Sequence, residues 1–270
     1  MSGLKAQLLN LSSILNARQL GGYCNADGKR IKSNLLIRSG TLHYATAEDL
    51  DKLINVYGLS TIIDLRDCDE IKNHPDPQLP NVKYYSLSVM GEDSANKLAI
   101  VEIYRQYPND LGRAYVEMVR KGALAYDMYT SFFDSIESLN AFRKFFDILL
   151  LVEQGTILWH CTGGKDRTGL ATVMLLAILG IDDEIILKDF ALINEINRKK
   201  INYIRAEASK YTADEAELKQ IEALAGVFPP YMQKVFDRAK AESGSILSFI
   251  QEKLGLTNQE IICLREKFLE

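Results

Sequence analysis

The sequence predicts an α/β fold, a central and mostly parallel sheet flanked by helices, and three observations carry that prediction. Thr156–Trp159 is a short run of β-branched, aliphatic and aromatic residues that suits a buried strand, whereas Leu170–Leu179, rich in alanine and leucine, is too long for a strand and suits a helix. Ser60–Arg66 is a second apolar strand with charge at its C-terminal end, where open α/β sheets place their chemistry. Helical patterns at Thr46–Tyr57 and Leu139–Val152 separate the strands, the second leading directly into the strand at Thr156.

In chain order, Met1–Lys5 leads into an apolar stretch broken by Asn10, Ser12, Ser13 and Asn16, which is too polar for a signal-peptide core. No segment approaches the ~20 apolar residues that a membrane span needs. A Gly21-Gly22 turn and then Asn25-Ala-Asp-Gly28 give a strong hairpin signal. Leu35–Gly40 reads as a strand ending in a turn. Thr46–Tyr57 is a helix capped by Thr46, with Glu48 and Asp49 in its first turn and Gly58 as its stop. His74–Pro77 is a loop and Val82–Val89 a further strand. Gly91–Met118 has a helical pattern with breaks expected at Pro108 and Gly112, and its tyrosines 104, 107 and 115 are candidates for a substrate entrance or for core or rim packing. Asp182–Asn194 is a helix whose Asp182, Asp183 and Glu184 suit its N-terminal turn. Residues 198–226, rich in Lys, Glu and Ala, read as one or two exposed helices: an insertion that acts as a lid, or a solvated helical hairpin.

With 270 residues, 47% hydrophobic and 25% charged, the chain can bury a substantial core, and one domain over 1–270 is enough. A net charge of −4 offers no global attraction for nucleic acid or an anionic membrane, so any positive field must be local. Cysteines 24, 68, 161 and 263 are too irregularly spaced for a disulfide framework, which favours a reducing, cytoplasmic setting while leaving export by another route open.

The chain turns on residues 160–169, His-Cys-Thr-Gly-Gly-Lys-Asp-Arg-Thr-Gly, between the strand at Thr156 and the helix at Leu170. Such a loop turns successive backbone N–H groups and the positive end of a helix dipole into one space suited to phosphate or another oxyanion. A loop curling round that anion sets the sulfur of Cys161 beneath phosphorus and the guanidinium of Arg167 beside the oxygens. A helix N-terminus and a nearby cation favour a thiolate at Cys161. Arg167 offers a planar fork for two oxygens. Thr168 can donate to the sulfur, and Gly163 and Gly164 allow close backbone approach.

These residues resemble the signature of cysteine-dependent protein tyrosine phosphatases: His-Cys, five residues, Arg, then Thr or Ser. The Gly-Lys-Asp-Arg-Thr-Gly ending is similar to the bacterial and fungal tyrosine and phosphoinositide phosphatase family, with acid and base inside the loop, to which secreted mycobacterial and listerial phosphatases belong. Asn16–Tyr23 resembles that family's opening motif but departs at Ala17 and Gln19, while Arg18 matches and suits an ion pair near the site or a surface position. Asp64, Leu65 and Arg66 match its Asp-Leu-Arg motif, with Asp64 either an ion-pair partner or an acid. Asp127–Tyr129, Asp189–Asn194 and the C-terminal stretch from Val227 also resemble family segments.

The resemblance implies a tyrosine phosphatase-like fold and a phosphomonoesterase that uses neither cofactor nor metal. In it Cys161 attacks phosphorus, while Arg167 and the backbone amides of Thr162, Gly163, Gly164, Lys165, Asp166 and Arg167 hold the oxygens. His160, Thr168, Asp64 and Arg66 support the loop. Asp166 serves as acid and then base, with Asp127 and Asp134 as alternatives. Lys165 adds charge at the rim that favours polyphosphorylated ligands, so a phosphorylated protein or a phosphoinositide is the expected substrate. A catalytically idle phospho-ligand module is the rival of a different class, opposed by the intact Cys161 and Arg167. A Walker loop would need Gly at Trp159 and Ser or Thr at Asp166. A zinc site lacks ligands, and a sulfur transferase or arsenate reductase leaves the Lys-Asp-Arg-Thr-Gly run unexplained.

Overall fold

A computed structural model describes residues 7–90, 95–122 and 127–270. Among them are six strands: β1 Gln7–Leu8, β2 Arg18–Gln19, β3 Leu36–Ser39, β4 Leu59–Asp64, β5 Lys83–Ser86 and β6 Thr156–His160. They form one sheet in the order β1-β2-β3-β6-β4-β5. The strands from β3 to β5 are parallel, with β6 between β3 and β4, while β1 and β2 add an antiparallel edge. The fold is therefore the α/β class expected, with a mostly parallel sheet. The register aligns Ser39 with His160 and His160 with Asp64, so three parallel strands end side by side where the loop at Cys161 begins.

The twelve α-helices among the described residues are α1 Ala47–Asp51, α2 Cys68–Asn73, α3 Ala95–Gln106, α4 Leu111–Arg120, α5 Ile136–Leu151 and α6 Asp166–Ile178, followed by α7 Asp183–Ile196, α8 Arg198–Ala208, α9 Glu215–Ala225, α10 Pro229–Ser243, α11 Ile246–Leu254 and α12 Asn258–Phe268. Alternation along the strands sorts the core into two layers. Leu36, Ile63, Ile157 and Trp159 join the larger cluster with α5, α6 and the C-terminal helices, whereas Ile37, Ile62 and Leu158 face the smaller one with Leu42 and Leu53. Helix α6 is apolar all round and buried from Thr168 to Ile178, as befits a helix held inside the core. Its N-terminus, which opens the loop, is thereby fixed to the sheet.

Three segments differ from the sequence reading. The helix capped by Thr46 continues past α1 as a π-helical stretch, Lys52–Val56, before Gly58 stops it at φ +69°. The break in the 91–118 pattern falls at Pro108, and Gly112 lies inside α4. A Cβ there would come within 2.5 Å of the Glu207 backbone, so this glycine is set by packing against α8. The part of that stretch before Ala95 lies outside the described residues, as does Met1–Lys5. The third difference is residues 198–226, which form a hairpin of α8 and α9 that is not simply solvated. Ile201, Ile204, Leu218 and Ile221 pack with Tyr115 and Val116 of α4. Spaced three and four apart among charged residues, they form a stripe with no continuous apolar run, and each buried side chain contributes roughly 1.5–3 kcal/mol relative to exposure.

Candidate active site

The buried Cys161 follows β6 directly, and four residues separate it from Asp166, the first residue of α6. The intervening backbone is organised by donors from outside. Thr41 N donates to Thr162 O (3.2 Å), Asn16 Nδ2 to Gly163 O (2.5 Å) and Arg38 Nη2 to Gly164 O (3.0 Å). Three successive carbonyls are thus held on the outer side. Because C=O and N–H of one peptide point oppositely, the amides of 163, 164 and 165 turn to the other side, where the free N–H groups of the α6 N-terminus also lie. Gly164 (φ +66°) is required twice over: its backbone is left-handed, and a Cβ would lie 2.5 Å from the backbone of Ser39 and Gly40.

Arg167 is held by a carboxylate that the sequence reading did not single out. Its Nη1 and Nη2 donate to Glu70 Oε2 (2.5 Å) and Oε1 (2.8 Å), and the Thr162 hydroxyl donates to the same carboxylate. Burial acts to raise the Glu70 carboxyl, but Arg167 and Thr162 outweigh it and hold it well below the usual carboxylate range. Glu70 is also the third residue of a capping box in α2, since Asp67 accepts from its N–H and Asp67 N donates back to it. The Asp67…Glu70 spacing was the available sequence signal.

Lys165 spends its three N–H bonds on Asp166 Oδ2 (2.9 Å), Leu224 O (2.8 Å) and Gly226 O (2.9 Å). The last two acceptors lie at the C-terminal end of α9, which favours a cation. The other Asp166 oxygen accepts from Tyr129 OH at 2.7 Å, and the phenol is raised well above its ordinary value by burial and by Asp166. Of the alternative carboxylates, Asp134 is paired with Arg238 (2.6 Å) and exposed, and Asp127 is exposed at the turn that begins Thr130–Phe133.

Beneath the loop lie two buried charge clusters. In the first, Asp64 accepts from Arg66 Nε (2.9 Å) and Nη2 (2.6 Å) and from Tyr84 OH (2.5 Å), so it is the ion-pair partner of Arg66. Asp76 joins this cluster: its Oδ2 lies 2.9 Å from Arg66 Nη2 and 2.9 Å from His160 Nε2, and its Oδ1 accepts from Thr41 Oγ1 and Leu42 N, both at 3.0 Å. Asp64, Asp76 and His160 have the geometry of a metal-ligand group, but the guanidinium of Arg66 already supplies the cation between the two carboxylates. In the second cluster Asp189 sits between Arg18 (3.5 Å) and Arg38 (3.2 Å) and accepts from Tyr23 OH (2.9 Å). Burial and the neighbouring Arg18 lower Arg38 to about 9, against the opposing pull of Asp189. Arg18 is therefore buried in an ion pair, not at the surface. The Thr168 hydroxyl is buried without a hydrogen-bond partner among the described residues.

A cleft of about 700 Å³ opens beside the loop, and Thr162, Arg167 and Glu70 form its inner end. Of the three tyrosines considered for an entrance, Tyr104 lines it, Tyr115 is buried against the hairpin and Tyr107 lies under the guanidinium of Arg113.

A cysteine at the base of a glycine loop, with an arginine in the first turn of the following helix and a parallel sheet behind, defines an α/β protein built around a strand–cysteine loop–helix unit. The chain belongs to the tyrosine phosphatase family, whose model matches residues 9–270. It is 29% identical over 191 residues to a Cupriavidus necator protein that is assigned by name to the tyrosine-protein phosphatases, covering 70% of this chain and 64% of that one. It is 28% identical over 164 residues to a tyrosine-protein phosphatase of Nostoc commune, covering 60% of this chain and 49% of that one. The match thus spans less than two thirds of each relative's length. No helix among the described residues is long and apolar enough to cross a membrane.

Proposed function

We propose that the protein is a phosphomonoesterase that hydrolyses phosphotyrosine through a cysteinyl-phosphate. One observation supports the reading: Thr41, Asn16 and Arg38 tie three successive loop carbonyls, which turns the amides of 163, 164 and 165 the other way, as a cradle for an anion requires. The Cys161 thiolate attacks phosphorus in line, an S–P bond forms, and the P–O bond to the leaving phenolate breaks. The amides and Arg167 stabilise the equatorial oxygens, where charge spreads in the transition state. Asp166, held by Tyr129 and Lys165, gives the leaving oxygen its proton and then takes one from the water that attacks phosphorus and frees the thiolate. Phosphoserine, phosphothreonine and phosphoinositides are the further candidate substrates, and cysteines that form no disulfide among the described residues suit a reducing compartment.

The α8–α9 hairpin acts as a lid in this reading, because its last turn holds Lys165 and its opening would free that lysine and change the environment of Asp166. The test is Cys161→Ser, which should bind vanadate or phosphate esters and lose essentially all turnover. Retained hydrolysis would refute the mechanism. Asp166→Asn tests the acid: single-turnover rates should fall by roughly 10²-fold on phosphotyrosine peptides and much less on activated aryl phosphates, whose leaving groups need no proton. Equal losses on both would assign Asp166 to holding the loop.

A further inference from the structure

We propose that the cleft beside the loop is a docking site for an apolar residue adjacent to the phosphotyrosine of a protein substrate, so that the enzyme selects peptides by a hydrophobic flank. The inference rests on the phosphatase reading above and names its substrate class.

The cleft is continuous with the loop, since Thr162 and Arg167 line it, so whatever is esterified to a phosphate held there must pass along its walls. Those walls are chiefly apolar carbon, to which Tyr44, Met90, Ile100, Val101 and Tyr104 contribute. Tyr44 (63% exposed), Tyr104 (42%) and Val101 (38%) are large apolar side chains left to solvent at the mouth of a functional loop, the arrangement expected of a surface that is covered when ligand binds. A single aromatic ring fills only part of about 700 Å³, which leaves the outer walls for a neighbouring side chain.

The same walls oppose an inositol headgroup. Its hydroxyls would give up water against Ile100, Val101 and Tyr104 without gaining partners. Charge decides less than this desolvation, because the lining carries Arg105 as well as Asp69, and Glu70 is paired with Arg167. A phenyl ring followed by an aliphatic side chain does not meet that cost.

The experiment uses the full chain and two phosphotyrosine peptides that are identical except for leucine or serine on both sides of the phosphotyrosine, together with a dioctanoyl phosphoinositide. Val101→Glu and Tyr104→Ala alter exposed positions on α3, and thermal unfolding checks that both variants are folded. The wild type should turn over the leucine-flanked peptide with a kcat/KM about tenfold above the serine-flanked one, mainly through KM, and both variants should reduce that ratio to about twofold or less. A wild-type ratio near one, or a tenfold ratio that survives both variants, overturns the inference. So does a loss confined to the phosphoinositide, which would make the cleft a site for an acyl chain. Failure of the phosphatase reading looks different: neither peptide is hydrolysed, or Cys161→Ser hydrolyses both.

Discussion

Glu70→Gln tests whether the arginine fork is held by the carboxylate that grips it. The carboxylate accepts from both terminal nitrogens of Arg167, at 2.5 and 2.8 Å, and from the Thr162 hydroxyl. A glutamine keeps the shape but offers one oxygen, and its amide nitrogen faces an arginine N–H donor to donor. Hydrogen bonds to charged groups contribute roughly 1.5–3 kcal/mol, so the disturbance is of that size. Carried into the transition state it lowers kcat/KM on a phosphotyrosine peptide by about ten- to a hundredfold, and vanadate affinity should fall with it. Stability follows a definite sign. The carboxyl of Glu70 is depressed in the folded protein, so its contribution is present above the unfolded value of roughly 4.3 and is lost as pH falls toward the folded value. The gap in unfolding free energy between wild type and variant should be flat from about pH 8 to about pH 5 and close below about pH 4. Urea denaturation across that range measures it. A variant as active as the wild type would refute the positioning role. A more active one would mean that the carboxylate competes with phosphate for Arg167.

Asp189→Asn leaves Arg18 and Arg38 buried without their carboxylate and should cost about 3–5 kcal/mol in urea denaturation; a loss under about 1 kcal/mol would contradict that pairing. Gly112→Ala drives a Cβ into the Glu207 backbone, so hydrogen exchange over Arg198–Ala208 should quicken markedly, and unaltered protection would show that α4 and α8 can part without consequence. Gly164→Ala combines a left-handed backbone with a clash against Ser39 and Gly40, and kcat/KM should drop about five- to a hundredfold for about 1–3 kcal/mol of strain, whereas wild-type kinetics would mean the loop can be rebuilt.

The loop was legible because its chemistry is contiguous: Cys161, Lys165, Asp166 and Arg167 follow one another within seven residues of sequence. The long strands and the helix α6 were legible because their apolar patterns are strong. What the sequence concealed was everything that depends on distant segments meeting. Asp76 stood in an ordinary Pro-Asp-Pro loop, and nothing local says that its carboxylate reaches His160, Arg66 and Thr41. Arg38 lay in a segment read only as a strand ending in a turn, yet it follows the alternation of Leu36 and reaches the loop and Asp189. The two helices of the hairpin were legible, but their packing on α4 was not, because their apolar stripe is diluted by Lys and Glu on the outer face.

The way these distant residues act explains why the loop needs a whole domain behind it. An amide cradle for phosphate is stable only if the matching carbonyls find donors elsewhere, since a buried carbonyl without a partner costs roughly 1–3 kcal/mol. Here the donors come from Asn16 between β1 and β2, from Arg38 in β3 and from Thr41 just after it, all far in sequence from Cys161. One of them is a buried guanidinium, which in turn requires Asp189 from α7, and Asp189 is shared with Arg18 and Tyr23. The donor shell therefore ties β2, β3 and α7 to the same six-atom geometry at the loop. Loosening any of these ties frees a carbonyl to turn inward, where it would oppose the phosphate of the proposed reaction.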